Sequence, residues 1–350
     1  MGSRIAEDLA VDFPGRVVVA GRDLERADAT AAAIGRGVRG RRVDVTVAAS
    51  IVAALDGVAV AVNCIDQPDR GLLWASIERG LAYTDITPHL TDLGREAEYE
   101  RVAAAAKASG SRVLLGAGLV PGVSSVIVRA LADTIGGADS IETALLLTAD
   151  DVSGPASFDY LLRELAMPFD VHVDGVDRPA RAFTSPRVVE FPAPLGSRRA
   201  YVFPFSDQVL YPRTMGARTV FTRLSIDPPG VSRLLALLVR TGGTRVVARE
   251  RVRAALARLR GSRSTRTDAP YALRVDVAYG GRSAHATLTG RGQAHATAAG
   301  TAAVVRSLAG GEVAEPGAWM PEQVIAPSRF FERLARAGVR VQISAGEPEA

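Results

Sequence analysis

Gly2-Ser-Arg-Ile-Ala-Glu-Asp-Leu-Ala10, followed by Arg16-Val-Val-Val-Ala-Gly-Arg-Asp23, is the stretch whose reading decides the fold. The first piece reads as the helix that follows a phosphate-binding glycine turn. Gly2 stands where the last glycine of such a turn lets helix and strand pack closely. The second piece is a short apolar run ending in glycine, as a buried parallel strand does. Helix then strand, with no strand ahead of the helix, is the order of a dinucleotide-binding domain entered after its first strand. The expectation is an N-terminally truncated Rossmann-type sheet: either the true start lies upstream of Met1, or the grip on a cofactor has lost part of its glycine turn.

Outward from this start, helix and strand alternate as far as Leu115. Helices are expected at Ile5–Val11, Leu24–Ile34, Val47–Leu55, Leu72–Arg79 and Glu96–Ala108, the third opened by Thr46 as a cap. Strands are expected at Val17–Ala20, Val38–Asp44, Val58–Cys64, Tyr83–Ile86 and Arg112–Leu115. Alternation of this kind means a doubly wound parallel α/β sheet with right-handed crossovers.

After a helix at Ser124–Thr134 the rhythm changes. Strands are expected at Ser140–Thr148, Val171–Val173, Arg187–Val189 and Arg218–Ile226, and a hairpin pairs Tyr271–Tyr279 with Ser283–Thr289 through Gly280-Gly281. Helices fall at Val231–Val239, Val246–Leu259 and His295–Leu308. This is a second, α+β domain with a mainly antiparallel sheet. The tail reads as a helix, Pro321–Ala337, and a strand, Val339–Ile343. The division drawn is a dinucleotide domain over 1–122, a substrate and dimerisation domain over 123–310, and a C-terminal segment over 311–350.

Composition narrows the function classes. At 350 residues, 47% hydrophobic and 23% charged, the chain has room for two domains and a full core. Of 42 basic residues one is lysine, Lys107, and the net charge is only +4. The arginine-rich stretches at 36–42 and 249–266 lack the interleaved aromatics of a single-strand nucleic-acid platform. A single cysteine, Cys64, excludes an internal disulfide and a cysteine-based zinc site. No signal peptide and no membrane-spanning run is visible. A cytoplasmic protein acting on a small molecule, with no nucleic-acid or membrane partner and no metal, is expected.

Arg22 lies just past the carboxyl end of the second-strand motif. A dinucleotide fold places there the residue that reads the adenosine ribose, and an arginine fork suits a 2′-phosphate. Arg22 therefore points to NADP, the alternative being a surface arginine, and Asp23 could share either role. Asp44, followed by Val45, flanks the adenine or caps the next helix. Asn63-Cys64-Ile65 closes a strand on the nicotinamide side of such a cleft, and Cys64 also reads as a small buried residue. Tyr83, Asp85 and Thr87 alternate along a strand end, where open α/β sheets bind ligands; Asp85 and Thr87 also read as caps. His89 follows as a proton donor or a solvated loop residue. The run Gly116-Ala-Gly-Leu-Val-Pro-Gly122 lets backbone approach a ligand through Gly118, Pro121 and Gly122, or is a plain hinge. The helix start at Val123 or Ser124 is a candidate anion site.

Together these motifs resemble the saccharopine dehydrogenase family, specifically its NADP-binding-domain members. The matching pieces are Arg4–Ala10, Val19–Arg22, Asn63–Pro68, Gly80–Thr87 and Gly116–Gly122, with Pro316–Glu322, Phe330, Phe331 and Leu334 in the tail. The resemblance implies a Rossmann domain that the C-terminal segment rejoins, and a central α+β domain that often dimerises. It also implies hydride transfer between NADP(H) and an imine, ketone or amino-acid-derived substrate. The cofactor set is Gly2, Ser3, Arg4, Arg22, Asp23, Asp44, Val45, Asn63, Cys64 and Ile65. The catalytic set is Tyr83, Asp85 and His89. The substrate set is Thr87, Gly118, Pro121, Gly122 and Arg213, with Arg223 as a second carboxylate fork. Lys107 reads as surface, which disfavours a catalytic lysine. The rival expectations are a non-catalytic dinucleotide-fold protein and a non-redox cyclase or lyase.

Overall fold

The computed structural model describes residues 1–65, 67, 69–86, 96–149, 161–244, 249–252 and 268–345. They form two compact units, Met1–Val126 with Ala294–Gly338, and Ile127–Gln293 with Val339–Ala350.

The first unit opens with helix α1, Gly2–Asp12, which buries Ile5, Ala6, Leu9 and Ala10 along one stripe. Strand β1 (Val18–Gly21) leads to α2 (Leu24–Ile34). Asp23 caps α2 by accepting from the Arg26 amide at 3.1 Å, and Gly35 at φ 72° ends it. Strand β2 (Arg39–Arg42), α3 (Ala48–Ala54), β3 (Val60–Asn63), α4 (Gly71–Glu78), β4 (Ala82–Asp85), α5 (Glu96–Ser109) and β5 (Arg112–Leu114) follow. Lys107 is exposed on α5. Helix α2 lies so close to β2 that a Cβ at Gly40 would stand 2.7 Å from the Asp28 backbone nitrogen.

The strands of this unit form two parallel sheets. One is β1-β2, with Val18 opposite Arg39; the other runs β14-β5-β4-β3. Both are parallel sheets whose strands alternate with helices, as in a doubly wound dinucleotide-binding fold. One helical layer serves both. Ile5 and Leu9 of α1 join Ala298, Ala302 and Val305 of a later helix, and Val17, Val60, Val62, Cys64 and Ile86 pack against that cluster.

The second unit begins within α6 (Val123–Ile135). It contains β6 (Ser140–Thr148), β7 (Pro168–Val173), β8 (Val176–Arg181), β9 (Thr184–Phe191), β10 (Gly196–Val202), α7 (Asp207–Thr214), β11 (Thr219–Asp227), α8 (Pro229–Arg240), β12 (Pro270–Tyr279) and β13 (Arg282–Arg291). Its nine-stranded sheet runs β15-β13-β12-β6-β11-β10-β9, with β7 and β8 attached to β11. Among the described residues β6 and β11 pair in parallel and the other pairings of this sheet are antiparallel.

Helix α9 (Gln293–Ala309) brings the chain back to the first unit, where it adds β14 (Gly317–Trp319), α10 (Pro321–Val324) and α11 (Pro327–Arg336). The last strand, β15 (Val341–Ala345), pairs with β13 in the second unit. The return thus comes at Ala294, earlier than the expected 311, and the chain leaves again at Val339. The tail helix expected over Pro321–Ala337 is two helices, because Pro327 cannot donate into a continuing ladder and starts a new helix instead. Thr46 does not cap α3: its amide and hydroxyl both bond Asp44, and Val47 is the residue at the cap position. Most of the helix expected over Val246–Leu259 lies outside the described residues. Among the described residues, no helix is long and apolar enough to cross a membrane.

Gly40→Ala should lower stability by roughly 1–3 kcal/mol, because backbone of α2 must move to admit the methyl. Gly21→Ala, where a Cβ meets nothing within 4 Å, should change it little. Guanidinium denaturation of both variants checks this pair.

Candidate active site

The carboxyl ends of the first unit's parallel strands are tied to one another by specific contacts. Gly21, the last residue of β1, accepts from the Val43 amide at 2.8 Å and stands opposite Arg42. Asp44 turns back on itself, taking Thr46 N at 3.0 Å and Thr46 Oγ1 at 2.7 Å. Those bonds, with the charges of Arg22 and Arg42 behind them, hold its carboxyl below the usual range. Arg22 is exposed and makes no hydrogen bond or ion pair among the described residues. Asp23 is spent on capping α2.

Gln67 joins the next pair of ends. It donates through Nε2 to the Val45 carbonyl at 2.9 Å and accepts from the Leu72 amide at 3.1 Å. It is 3% exposed, and its amide suits this post because it both donates and accepts. Gln67 lies within the Asn63–Pro68 motif, which by itself assigns it no role. A glutamine just past a strand end was the available signal.

Gly2 and Cys64 meet where α1 begins. A Cβ on Gly2 would lie 3.7 Å from Cys64 Sγ. Burial pushes the Cys64 thiol up to about 11; the Met1 ammonium opposes that and the Asp85 carboxylate adds to it. Asn63 accepts from the Ile65 amide at 3.3 Å, and Ile65 itself is exposed. The first amides of α1 have no partner within the helix; Arg4 N and Ile5 N both donate to the Met1 carbonyl.

Tyr83 and Asp85 share a face of β4. Tyr83 is 2% exposed, and burial raises its hydroxyl well above the ordinary value; Asp85 reinforces the rise, while the Asn63 side chain opposes it. The hydroxyl therefore stays protonated through the physiological range, as a donor and not a base. Asp85 accepts from Gly116 N through Oδ1 at 2.7 Å, and its own carbonyl accepts from Ala117 N at 2.7 Å. Its carboxylate positions the turn after β5.

That turn is closed on itself. Gly116 has φ 76° and Gly122 φ 124°, and a Cβ at Gly118 would collide with the Ile86 carbonyl. Val123 N and Ser124 N donate to the carbonyls of Gly118 and Leu119 at 2.9 and 3.0 Å, and Gly118, Pro121, Gly122 and Ser124 are all buried. The expectation of an anion site at the start of α6 is thereby corrected: those amides are already used. Thr87 and His89 lie outside the described residues.

In the second unit Arg223 is committed to the protein itself, which corrects its reading as a free carboxylate fork. Its Nε bonds Glu142 Oε1 at 2.6 Å, Arg187 takes the other carboxylate oxygen, and Nη1 of Arg223 reaches the Ser185 carbonyl. Burial and the Arg187 charge bring the guanidinium down to about 10. Arg213 is exposed on α7. Helix α7 was not expected at all, and its Asp207, Gln208 and Tyr211 are 0, 3 and 0% exposed.

No protein-family model matches the sequence, and no curated protein does. Among solved structures the chain matches apo saccharopine dehydrogenase (L-Glu forming) from Saccharomyces cerevisiae. The TM-score is 0.71 at 14% identity, over 99% of this chain and 98% of that one. An amine dehydrogenase from Mycobacterium smegmatis matches at 0.47 and 10% identity, over 92% and 94% of the two chains. The DAP dehydrogenase of C. glutamicum, in complex with DAP, matches at 0.44 and 13%, over 92% and 99%. The chain has the saccharopine dehydrogenase fold along its whole length.

Two outcomes follow from the geometry. Asp85→Ala should cost about 1–3 kcal/mol in denaturant unfolding, since the buried Gly116 amide loses its acceptor, and Asp85→Asn should cost less. Cys64 should react slowly with iodoacetamide at pH 8, carrying roughly a hundredfold less thiolate than an ordinary thiol. Its rate should climb toward pH 11, the direction set by a thiol raised from 9.0.

Proposed function

We propose that the chain is an oxidoreductase using a nicotinamide dinucleotide, of the saccharopine dehydrogenase kind, with NADP(H) preferred. The observation that carries this is the unpaired Arg22 guanidinium beside Arg42 at the carboxyl end of β1 and β2. Fold identity with a dehydrogenase over the full chain supports it.

The donor set fits the cofactor. Arg22 and Arg42 match a 2′-phosphate, for which a planar fork is suited. The free amides of Gly2 and Ser3 at the start of α1, an 11-residue helix, favour the pyrophosphate, with Arg4 alongside. Val45 and Asp44 border the adenine side, and Asn63, Cys64 and Ile65 the nicotinamide side. When bound, the cofactor supplies a hydride, or accepts one.

The substrate in this reading is a small polar imine, ketone or amino-acid derivative. Tyr83 presents a hydroxyl that stays protonated, and Asn63 adds an amide. A buried tyrosine that holds its proton orients a substrate better than it shuttles protons. That favours an iminium, whose reduction by hydride needs no general acid. Asp85 acts by positioning the Gly116 turn. Thr87, His89, Gly118, Pro121, Gly122 and Arg213 complete the proposed substrate side, and a homodimer through the second unit's sheet belongs to the same reading. A second reading, a dinucleotide-fold protein without catalysis, is favoured by the closed turn after β5, whose Val123 and Ser124 amides are already bonded to the Gly118 and Leu119 carbonyls.

Titration of the full chain with NADPH and NADH, followed by nucleotide fluorescence, separates the two. Saturable NADPH binding that Arg22→Asp weakens by roughly tenfold or more, with NADH unchanged or tighter, is expected for the loss of a charge-assisted contact. Saturable binding without turnover of any imine or ketone supports the second reading. No saturable binding of either nucleotide overturns the first.

A further inference from the structure

Helix α11 carries its charges on one stripe. Arg329, Glu332, Arg333 and Arg336 stand at i, i+3, i+4 and i+7, so they share one face within about 100°, while Phe330 and Leu334 are buried on the other. With Glu312, which lies just past α9 in the chain, these four residues line a pocket of about 240 Å³. Drug-sized ligands occupy sites of roughly 300 Å³ and more, so this one suits a smaller molecule.

Two of the five residues are spent on each other. Arg333 grips Glu312 with both terminal nitrogens, at 2.6 and 3.1 Å, and also donates to Ser307 Oγ at 2.7 Å. Ser307 donates to Glu312 at 2.8 Å, and Arg329 reaches the same carboxylate through one nitrogen at 3.3 Å. Arg333 foremost, then Ser307 and Arg329, hold the Glu312 carboxyl below its usual range against the opposing effect of burial. Glu312 is therefore ionised, with both oxygens taken.

The other charges are not used up. Arg336 and Glu332 make no hydrogen bond or ion pair among the described residues, although they stand one turn apart on the helix. Arg329 keeps the rest of its fork, on a side chain that is 67% exposed. The lining thus offers one guanidinium with all its donors, part of a second, and one carboxylate that only accepts. A bare anion would meet the like charge of Glu332, and a bare cation those of Arg329 and Arg336. A molecule with a carboxylate and an ammonium on neighbouring atoms satisfies both sets.

The place of the pocket separates it from the dinucleotide edge. Helix α1 begins against Cys64, just past the end of β3, and its last turns hold Asp8 and Asp12, which take Arg306, the residue before Ser307. Eleven helical residues span about 16 Å.

We propose that this pocket is a second ligand site, for a small zwitterion of the α-amino-acid class, at the opposite end of α1 from the candidate active site. The ligand carboxylate bonds Arg336 and Arg329, and its ammonium bonds Glu332. None of these residues belongs to the cofactor or substrate sets, so the site stands or falls apart from the oxidoreductase reading.

The test is an NMR titration of the full chain near neutral pH with three probes, L-alanine, acetate and methylammonium. L-alanine should shift the α11 amides saturably, with a Kd roughly tenfold or more below that of acetate, and methylammonium should shift none of them. Glu332→Gln should raise the L-alanine Kd roughly fivefold or more and leave acetate binding no weaker, because it removes only the partner of the ammonium. Arg336→Ala should weaken both. Both positions are exposed, and unchanged β12 and β13 amides would show that the variants are folded. The proposal is overturned if L-alanine leaves α11 unshifted, or if acetate binds as tightly as L-alanine. It is overturned equally if the Glu332→Gln chain binds L-alanine as well as the parent does.

Discussion

The contact between α1 and α9 is what the first unit depends on. Its two sheets share no strand-to-strand hydrogen bond among the described residues, so something other than a ladder must keep β1 and β3 beside each other. Ile5 and Leu9 meet Ala298, Ala302 and Val305 across the helix pair, and each fully buried large side chain contributes about 1.5–3 kcal/mol. Alanines on α9 let the helices approach closely. Arg306 fastens the outer side, bonding the Asp8 carbonyl and carboxylate at 3.0 Å each and Asp12 at 2.6 Å. The partner helix comes from the far end of the chain, so the first unit cannot close until the second has been synthesised. Closing so long a loop costs entropy that local helix contacts do not.

Once the ends of β1 to β5 are brought to one edge, small polar links place the loops. Gln67 ties the ends of β2 and β3 to α4, and Asp85 ties β4 to the Gly116 turn. Thr301 of α9 donates to the Ala117 carbonyl at 2.8 Å and fixes the far side of that turn. The helix that holds the two sheets together therefore also holds the glycine turn, so packing and site geometry rest on the same element.

Much of this was legible in the sequence because it follows from local pattern. The apolar runs of β1, β3, β4 and β6 and the stripe of α1 have the periods that buried strands and one-sided helices require. What escaped the reading had a different physical origin. Strands β8 and β10, Val-Asp-Arg-Pro-Ala-Arg and Gly-Ser-Arg-Arg-Ala-Tyr-Val, carry exposed polar positions and lack an apolar alternation. Helix α7 holds Pro212 and buries Asp207 and Gln208, so neither propensity nor period announces it. The crossings at Ala294 and Val339 occur within regular chemistry, set by non-local packing alone. The position of Arg22, exposed just past the end of β1, was readable because it follows a strand motif. The engagement of Asp85 with Gly116, and of Arg223 with Glu142, depends on partners 31 and 81 residues away, which spacing cannot reveal.

The electrostatics of the edge divide it in two. At β1 and β2 it carries Arg22 and Arg42, both exposed, with the carboxylates of Asp44 and Asp23 already bonded to Thr46 and to the Arg26 amide. At β3 and β4 Asp85 is buried at 7% exposure and its charge acts inward on the Gly116 amide. That inward charge has a second effect: it keeps the proton on Tyr83 and on Cys64, both already disfavoured as anions by burial.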